Sequence, residues 1–273
     1  MQRYLLVLEY IGTEYQGSQK QPEEMQNSTK PVITVQGEVE KAISTLTKTK
    51  IKTIFSGRTD AGVHAQGQTA HFDTELELDP SKFVNSMNGL LPKTISVREL
   101  KKVGRTFHAQ KSAKARHYRY VIANRTQRSA WDAHCLLVRF PLDIDRMNKA
   151  LSYLKGEHDF TSFKKVRTTN PARVCNMYEA KATRGCRDSV TGSFCEAPDG
   201  DFVYIDFIAD RFLYNMIRLI VGTLLEIEGK SLAPETLKDI LDAKDITKAG
   251  STISPEGLTL VEVIYNNING ESK

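Results

Sequence analysis

Within the first hundred residues, apolar side chains switch between alternating and helical spacing in a fixed order, and that order limits the folds open to the chain. Arg3 to Tyr10 alternates loosely as a strand and runs into a turn-rich loop, Gly12 to Gly17. After a polar segment, Gln21 to Lys30, the stretch Thr34-Val-Gln-Gly-Glu38 offers an N-terminal cap, and Val39, Ala42, Ile43 and Leu46 recur at helical spacing. Lys50 to Phe55 and Gln68 to Asp73 read as strands. Pro80 to Leu91 reads as a helix capped near Asp79, and Ile95 to Leu100 as a short strand. The sum, β, α, β, β, α, β, is the split βαβ or ferredoxin-like pattern, an α+β class.

The remainder repeats the theme. His117 to Ala123 is a strong strand, and Asp143 to Leu154 a helix with Ile144, Met147, Leu151 and Leu154 on one side. Tyr178 to Thr183 and Phe202 to Ala209 read as strands divided by a polar loop, Arg184 to Gly200. Phe212 to Ile227 is a nearly apolar helix, Glu235 to Leu241 a shorter one, and Leu258 to Tyr265 a last strand. At 273 residues the chain has room for one large domain or two of modest size. Two halves of similar order suggest a duplicated fold, divided near 105 to 115 into halves 1–108 and 109–273. The longest nearly apolar run, Met216 to Leu225, holds Arg218 and is too short to cross a bilayer, so no membrane partner is expected. The N-terminus lacks a sustained hydrophobic region followed by a cleavage site, so it reads as a first strand and the cytoplasm as the compartment.

Cys135, Cys175, Cys186 and Cys195 form no C-x-x-C pair and have no histidine at finger spacing, so no metal site is expected. Cys186 and Cys195 are close enough in sequence to favour a disulfide in a secreted protein, but with no signal peptide, reduced thiols are expected. The charge balance, 38 Lys and Arg against 33 Asp and Glu, is only mildly basic. Its distribution says more. From Lys101 to Arg128 there are nine basic residues and no acid, interleaved with Phe107, Tyr118 and Tyr120. This suits a phosphate backbone with unstacked bases, ahead of the alternative of an edge strand kept soluble by its charges.

Between the strands ending at Phe55 and starting at Gln68 lies Gly57-Arg58-Thr59-Asp60-Ala61-Gly62-Val63-His64-Ala65. Gly57 and Gly62 permit backbone conformations that a Cβ resists. The Asp60 carboxylate has the chemistry of a nucleophile or general base, and Arg58 that of a phosphate or base contact. On local chemistry alone, such a stretch is more often only a surface turn with an Arg-Asp pair. Arg218 is the only charge between Arg211 and Glu226, and a guanidinium in an apolar helix needs a carboxylate or water, or else snorkels at the helix edge.

The string GRTDAGVHAQGQTAHFD at 57–73 resembles the signature of the TruA family of tRNA pseudouridine synthases. Further strings of the same resemblance follow in order: LLVLEYIGTEYQGSQKQ at 5–21, NGLLPKTISV at 88–97, FHAQKSAKARHYRY at 107–120, GEHDFTSF at 156–163, DRFLYNMIRLIVG at 210–222 and GLTLVEVIY at 257–265. The resemblance implies one continuous, mainly antiparallel sheet formed by two ferredoxin-like halves, with a central active-site cleft. It implies isomerisation of uridine to pseudouridine in the anticodon stem-loop of tRNA, at positions 38 to 40, by a homodimer and without a cofactor. That absence agrees with the lack of a dinucleotide fingerprint, P-loop or zinc pattern.

Residue by residue, the resemblance makes Asp60 the essential catalytic group, acting in its ionised form. Attack at C1′, attack at C6 and elimination through C2′ all remain open. Tyr118 is the expected stacking partner of the flipped base, its alternative being a strand aromatic facing the core. Arg218 is the expected partner of Asp60. Arg58 is expected to hold the nucleotide or its phosphate, and Leu258 to wall the base pocket. His64 is read as ordering the loop and His71 as lacking a partner, so neither is taken as an acid. Three positions depart from the family: Ser18 stands where tryptophan is usual, Gln110 where an arginine enters the RNA, and Phe55-Ser56 where Gly-Ala is usual. Gln110 keeps open a synthase for other uridines. An inactive tRNA-binding protein and a small-molecule enzyme of the same fold are the further alternatives.

Overall fold

The fold is given by a computed structural model, described for residues 1–20, 32–165, 173–188 and 193–266. The polar segment expected at 21–30 lies outside them, as does 189–192 of the loop expected at 184–200. Two compact units are present, Met1–Ala115 with Thr259–Lys273, and Arg116–Leu258.

In the first unit, β1 (Gln2–Tyr10) is followed by α1 (Val35–Thr47), β2 (Ile54–Phe55), β3 (His64–Thr74), α2 (Pro80–Leu90) and β4 (Ile95–Val103). β1 is central, pairing antiparallel with β3 and with β4. Both helices begin where the capping residues predict: Thr34 Oγ1 accepts from Gly37 N at 3.2 Å and Asp79 Oδ1 from Lys82 N at 3.0 Å. α1 buries Val39, Ala42 and Ile43 as its spacing requires, and also Glu40. Burial works against that carboxylate's charge, but bonds from Lys20 Nζ (2.6 Å), Thr53 N (2.8 Å) and Gln36 Nε2 (3.0 Å) hold its pKa below the usual carboxylate value.

The same contact explains a difference from expectation. Of the strand expected at Lys50 to Phe55, only Ile54–Phe55 pairs, because Ile51 N donates to Ser44 Oγ (3.0 Å) and Thr53 N to Glu40 Oε1. Side chains of α1 have taken donors that a strand ladder would use. β3 in turn starts four residues earlier than expected. The chain's last strand pairs parallel with it there, Thr259 opposite His64 and Leu260 opposite Ala65.

The second unit contains β5 (Ala113–Asn124) from Arg116 on, β6 (Leu136–Val138), α3 (Ile144–Ser152), β7 (Gly156–Asp159), β8 (Val174–Arg187), β9 (Phe194–Glu196), β10 (Phe202–Ala209), α4 (Met216–Gly229) and α5 (Thr236–Ala243), after which β11 (Leu258–Tyr265) belongs to the first unit from Thr259 on. Its main strands run in the order β5-β10-β8-β7 with antiparallel neighbours, and the short β6 is added parallel to β5. Part of the expected loop at 184–200 is instead hairpin, β8 reaching Arg187 and pairing with β9. Phe194 there packs with Tyr204, Phe202, Ala123 and Cys135 in a small second core. α4 begins at Met216 rather than Phe212, because Asn215 sits in the left-handed region (φ 61°), which no α-helical residue adopts. β7, Gly-Glu-His-Asp, has no apolar alternation and was invisible to pattern.

Candidate active site

Asp60 lies on the loop of residues 56–63 between β2 and β3, half-buried, with Arg58 exposed and Thr59 buried between them. Asp60 O accepts from Val63 N at 3.2 Å, closing a turn in which Gly62 takes φ 80°. Gly62 therefore needs its missing Cβ. Gly57 does not, since a Cβ there would meet nothing within 4 Å.

The loop is fastened from beneath by Thr59. Its N donates to Ser18 Oγ (2.8 Å), its O accepts from Ser18 N (3.1 Å), and its Oγ1 shares a hydrogen bond with Tyr10 OH (2.8 Å). Gln68, fully buried on β3, completes the support. Its Oε1 accepts from Ser56 Oγ (2.7 Å), and its Nε2 donates to Gly57 O (3.1 Å) and Tyr10 OH (3.4 Å). Burial raises the Tyr10 pKa above the ordinary tyrosine value, so the hydroxyl keeps its proton. His64 Nδ1 accepts from Gly12 N at 3.0 Å. A Cβ on Gly12 would fall 2.0 Å from Val63 O, so the first loop lies directly against this one.

Sequence reasoning missed Tyr10, Ser18 and Gln68 as supports. Gln68 lies inside the 57–73 string, and polar residues at buried strand positions were the signal. Ser18, the departure noted in the sequence, meets the loop's backbone through both its Oγ and its N. Arg58 leaves the loop sideways, its Nε donating to Gln19 Oε1 at 2.5 Å. His71 is not the partnerless group that sequence suggested. It is buried, with Nδ1 accepting from Ala109 N (3.1 Å) and its ring against Phe107 and His108. Burial first, then the charges of Arg3 and His108, bring its pKa down to about 4.

The second unit places the other three expected residues. Tyr118 stands on the buried face of β5 opposite Phe207 of β10, its ring edge-on to Phe212 with centroids 5.1 Å apart. Arg218, in the first turn of α4, is half-buried. Its Nε donates to Ile253 O (2.7 Å) and its Nη1 to Asn215 Oδ1 (2.8 Å). Leu258 is buried at the head of β11, where its N donates to Pro255 O at 2.9 Å. Thus Asp60 and Arg58 share one loop of the first unit, and Tyr118, Arg218 and Leu258 belong to the second.

The basic run is not acid-free in space. Arg119 grips Asp206 through Nε (2.8 Å) and Nη2 (3.1 Å), and Arg125 binds Asp132 and Asp201, all three acids lying beyond the run. Among the described residues, no three or more His, Cys, Asp or Glu are grouped to hold a metal ion, and no helix is long and apolar enough to cross a membrane.

The family model described as tRNA pseudouridine synthase matches residues 6–111 and 150–266. A protein named tRNA pseudouridine synthase A from Brevibacillus brevis is 39% identical over 97% of this chain and 100% of its own length. Its namesake from Geobacillus kaustophilus is 39% identical over 97% and 95%, and that from Aliivibrio salmonicida 39% over 96% and 92%. A solved chain from a Cbf5-Nop10-Gar1 complex is 12% identical with a TM-score of 0.41, covering 96% of this chain and 58% of that one. That score is too low to bear on the fold.

Proposed function

The chain belongs to the tRNA pseudouridine synthase family, and from that premise we propose that it isomerises uridines 38 to 40 of the tRNA anticodon stem-loop, with Asp60 as the essential catalytic carboxylate. The enzyme is an isomerase that converts uridine to pseudouridine. The base leaves C1′ through nitrogen and rejoins it through C5, so substrate and product have the same composition and no electrons are exchanged.

The observation that carries the assignment is the support of the Asp60 loop. Thr59, the residue before the carboxylate, is held through its N, O and Oγ1, and Gln68 holds the loop's entrance at Ser56 and Gly57. A turn with no task gains nothing from buried polar anchors that must all be satisfied. A reacting carboxylate does, because misplacement of about 1 Å costs on the order of 100-fold in rate.

The remaining roles extend the proposal. Tyr118 stacks on the extruded base, Leu258 walls its pocket, and Arg58 holds the nucleotide or its phosphate. Arg218 favours the ionised form of Asp60. We also read both units as ferredoxin-like halves, for which the β4-β1-β3 order with β2 beyond β3 is support in the first. The working form is a homodimer in the cytoplasm, where its substrate is.

Position-resolved pseudouridine mapping of unmodified tRNA transcript, with wild type and Asp60→Ala, tests the reading. Product at 38 to 40 from wild type alone is the expected result. Product elsewhere would keep the chemistry and move the substrate, with the exposed Gln110 the first position to exchange. Absence of product beside salt-sensitive tRNA binding would leave a binding protein.

A further inference from the structure

The β8–β9 hairpin sets two cysteines opposite each other. Its register pairs Gly185 with Glu196, Cys186 with Cys195 and Arg187 with Phe194. Backbone bonds from Ala197 N to Arg184 O (3.2 Å) and from Asp188 N to Ser193 O (2.9 Å) flank them. By the alternation of an antiparallel ladder, Cys186 and Cys195 therefore form a hydrogen-bonded pair, with Cα atoms about 5.5 Å apart. That lies inside the roughly 4.4–6.8 Å that a disulfide spans. The two thiols are free and exposed, and Cys195 Sγ donates to Cys186 O at 3.8 Å.

We propose that Cys186 and Cys195 are a redox modification site, closing to a reversible cross-strand disulfide by exchange with a low-molecular-weight disulfide. The thiolate of one cysteine attacks a sulfur of the small disulfide and expels one small thiol, leaving a mixed disulfide. The second cysteine's thiolate attacks the protein sulfur of that intermediate and expels the other. The protein loses two protons and two electrons, and the small disulfide takes both up as two thiols. The chain's other cysteines stay out of the exchange, since Cys135 and Cys175 are buried and their thiols pushed up to about 11 and about 12.

Closure would tie down the residue beside Cys195. Phe194 lies on Tyr204 with centroids 3.7 Å apart, and the Arg119 guanidinium sits over both rings at 5.3 and 5.4 Å. The bond locks this lid over the second small core, independently of what the isomerase acts on.

The test incubates the full chain across graded ratios of oxidised to reduced glutathione, quenches by alkylation, and reads intact mass and peptide maps. The expected species is a monomer lighter by two hydrogens, with Cys186 and Cys195 linked, Cys135 and Cys175 alkylated after unfolding, and complete reversal by a dithiol. Cys186→Ser should give one glutathione adduct at Cys195 and no lighter monomer. Separate adducts on both cysteines of the wild type, a bond between two chains, or retention of all four thiols at the most oxidising ratio would each overturn the proposal.

Discussion

Gln68 uses both ends of its amide inside the protein, bonding Ser56 and Gly57 of the Asp60 loop and Tyr10 beneath it. Gln68→Leu keeps the volume but removes the hydrogen bonds to Ser56 Oγ, Gly57 O and Tyr10 OH, at about 0.5–1.5 kcal/mol for each bond lost. Urea unfolding should show that loss. kcat should fall by on the order of 10–100-fold with a small change in KM, because the loop and not the substrate contact is disturbed. His71 supports a second expectation. Its pKa is about 4 in the native state against an ordinary 6.5, so between those values the unfolded chain binds a proton that the native chain does not. The native state carries no such penalty above pH 6.5 and loses stability as pH falls toward 4, by about 2–3 kcal/mol. His71→Gln, which can still accept from Ala109 N, should flatten that part of the stability profile, as urea midpoints at pH 7 and 4.5 would show. At this scale Asp60 and Arg58 were legible as a polar string between strands. Ser18 was legible only as a departure, since a serine's worth depends on the backbone that it meets.

Among the elements, α4 meets the segment before β11 almost backbone to backbone. A Cβ on Gly222 would fall 1.9 Å from Ser251 O, and Thr223 Oγ1 accepts from Gly250 N at 2.8 Å. This approach sets the height of Ile253 O, to which Arg218 Nε donates, and of Ser254 O, which accepts from Tyr120 OH at 2.7 Å. Gly222→Ala gains up to about 1 kcal/mol of helix propensity, but overpacking against a carbonyl costs about 1–3 kcal/mol. The variant should melt earlier in calorimetry and lose activity through displacement of Arg218's anchor. Arg218→Met, which keeps the apolar stem, should remain folded and lose turnover at neutral pH. Undiminished turnover would end its assigned role. Elements with a clear apolar period, α1, α2 and β11, were readable from sequence. The start of α4 was not, because a single left-handed asparagine overrode an apolar pattern, and Lys50 to Phe55 was over-read because helix side chains took its donors.

For the molecule as a whole, a net charge of +5 makes tRNA affinity salt-dependent, falling along a straight line of log affinity against log salt. The nine cations of the basic run should not contribute equally. Arg119, already bound to Asp206, should leave the slope unchanged when replaced by Gln, whereas exposed Lys111→Gln should reduce it by about 0.7–0.9 if it meets a phosphate. Filter binding at several salt concentrations separates the two. Sequence displayed the charges of this run but not their carboxylates, since Asp206 arrives from β10 and Asp132 and Asp201 from outside the run. Distance along the chain also governs how the protein comes to exist. β3, which leads out of the Asp60 loop, is joined along His64 and Ala65 by Thr259 and Leu260, and Thr69 Oγ1 meets Tyr265 OH at 2.6 Å. The residues that join β3 here are made long after those of the signature string. A chain whose synthesis stopped before Leu258 would carry the whole signature string yet lack the strand that joins β3, so the Asp60 loop is seated only after residues far downstream of it have been made.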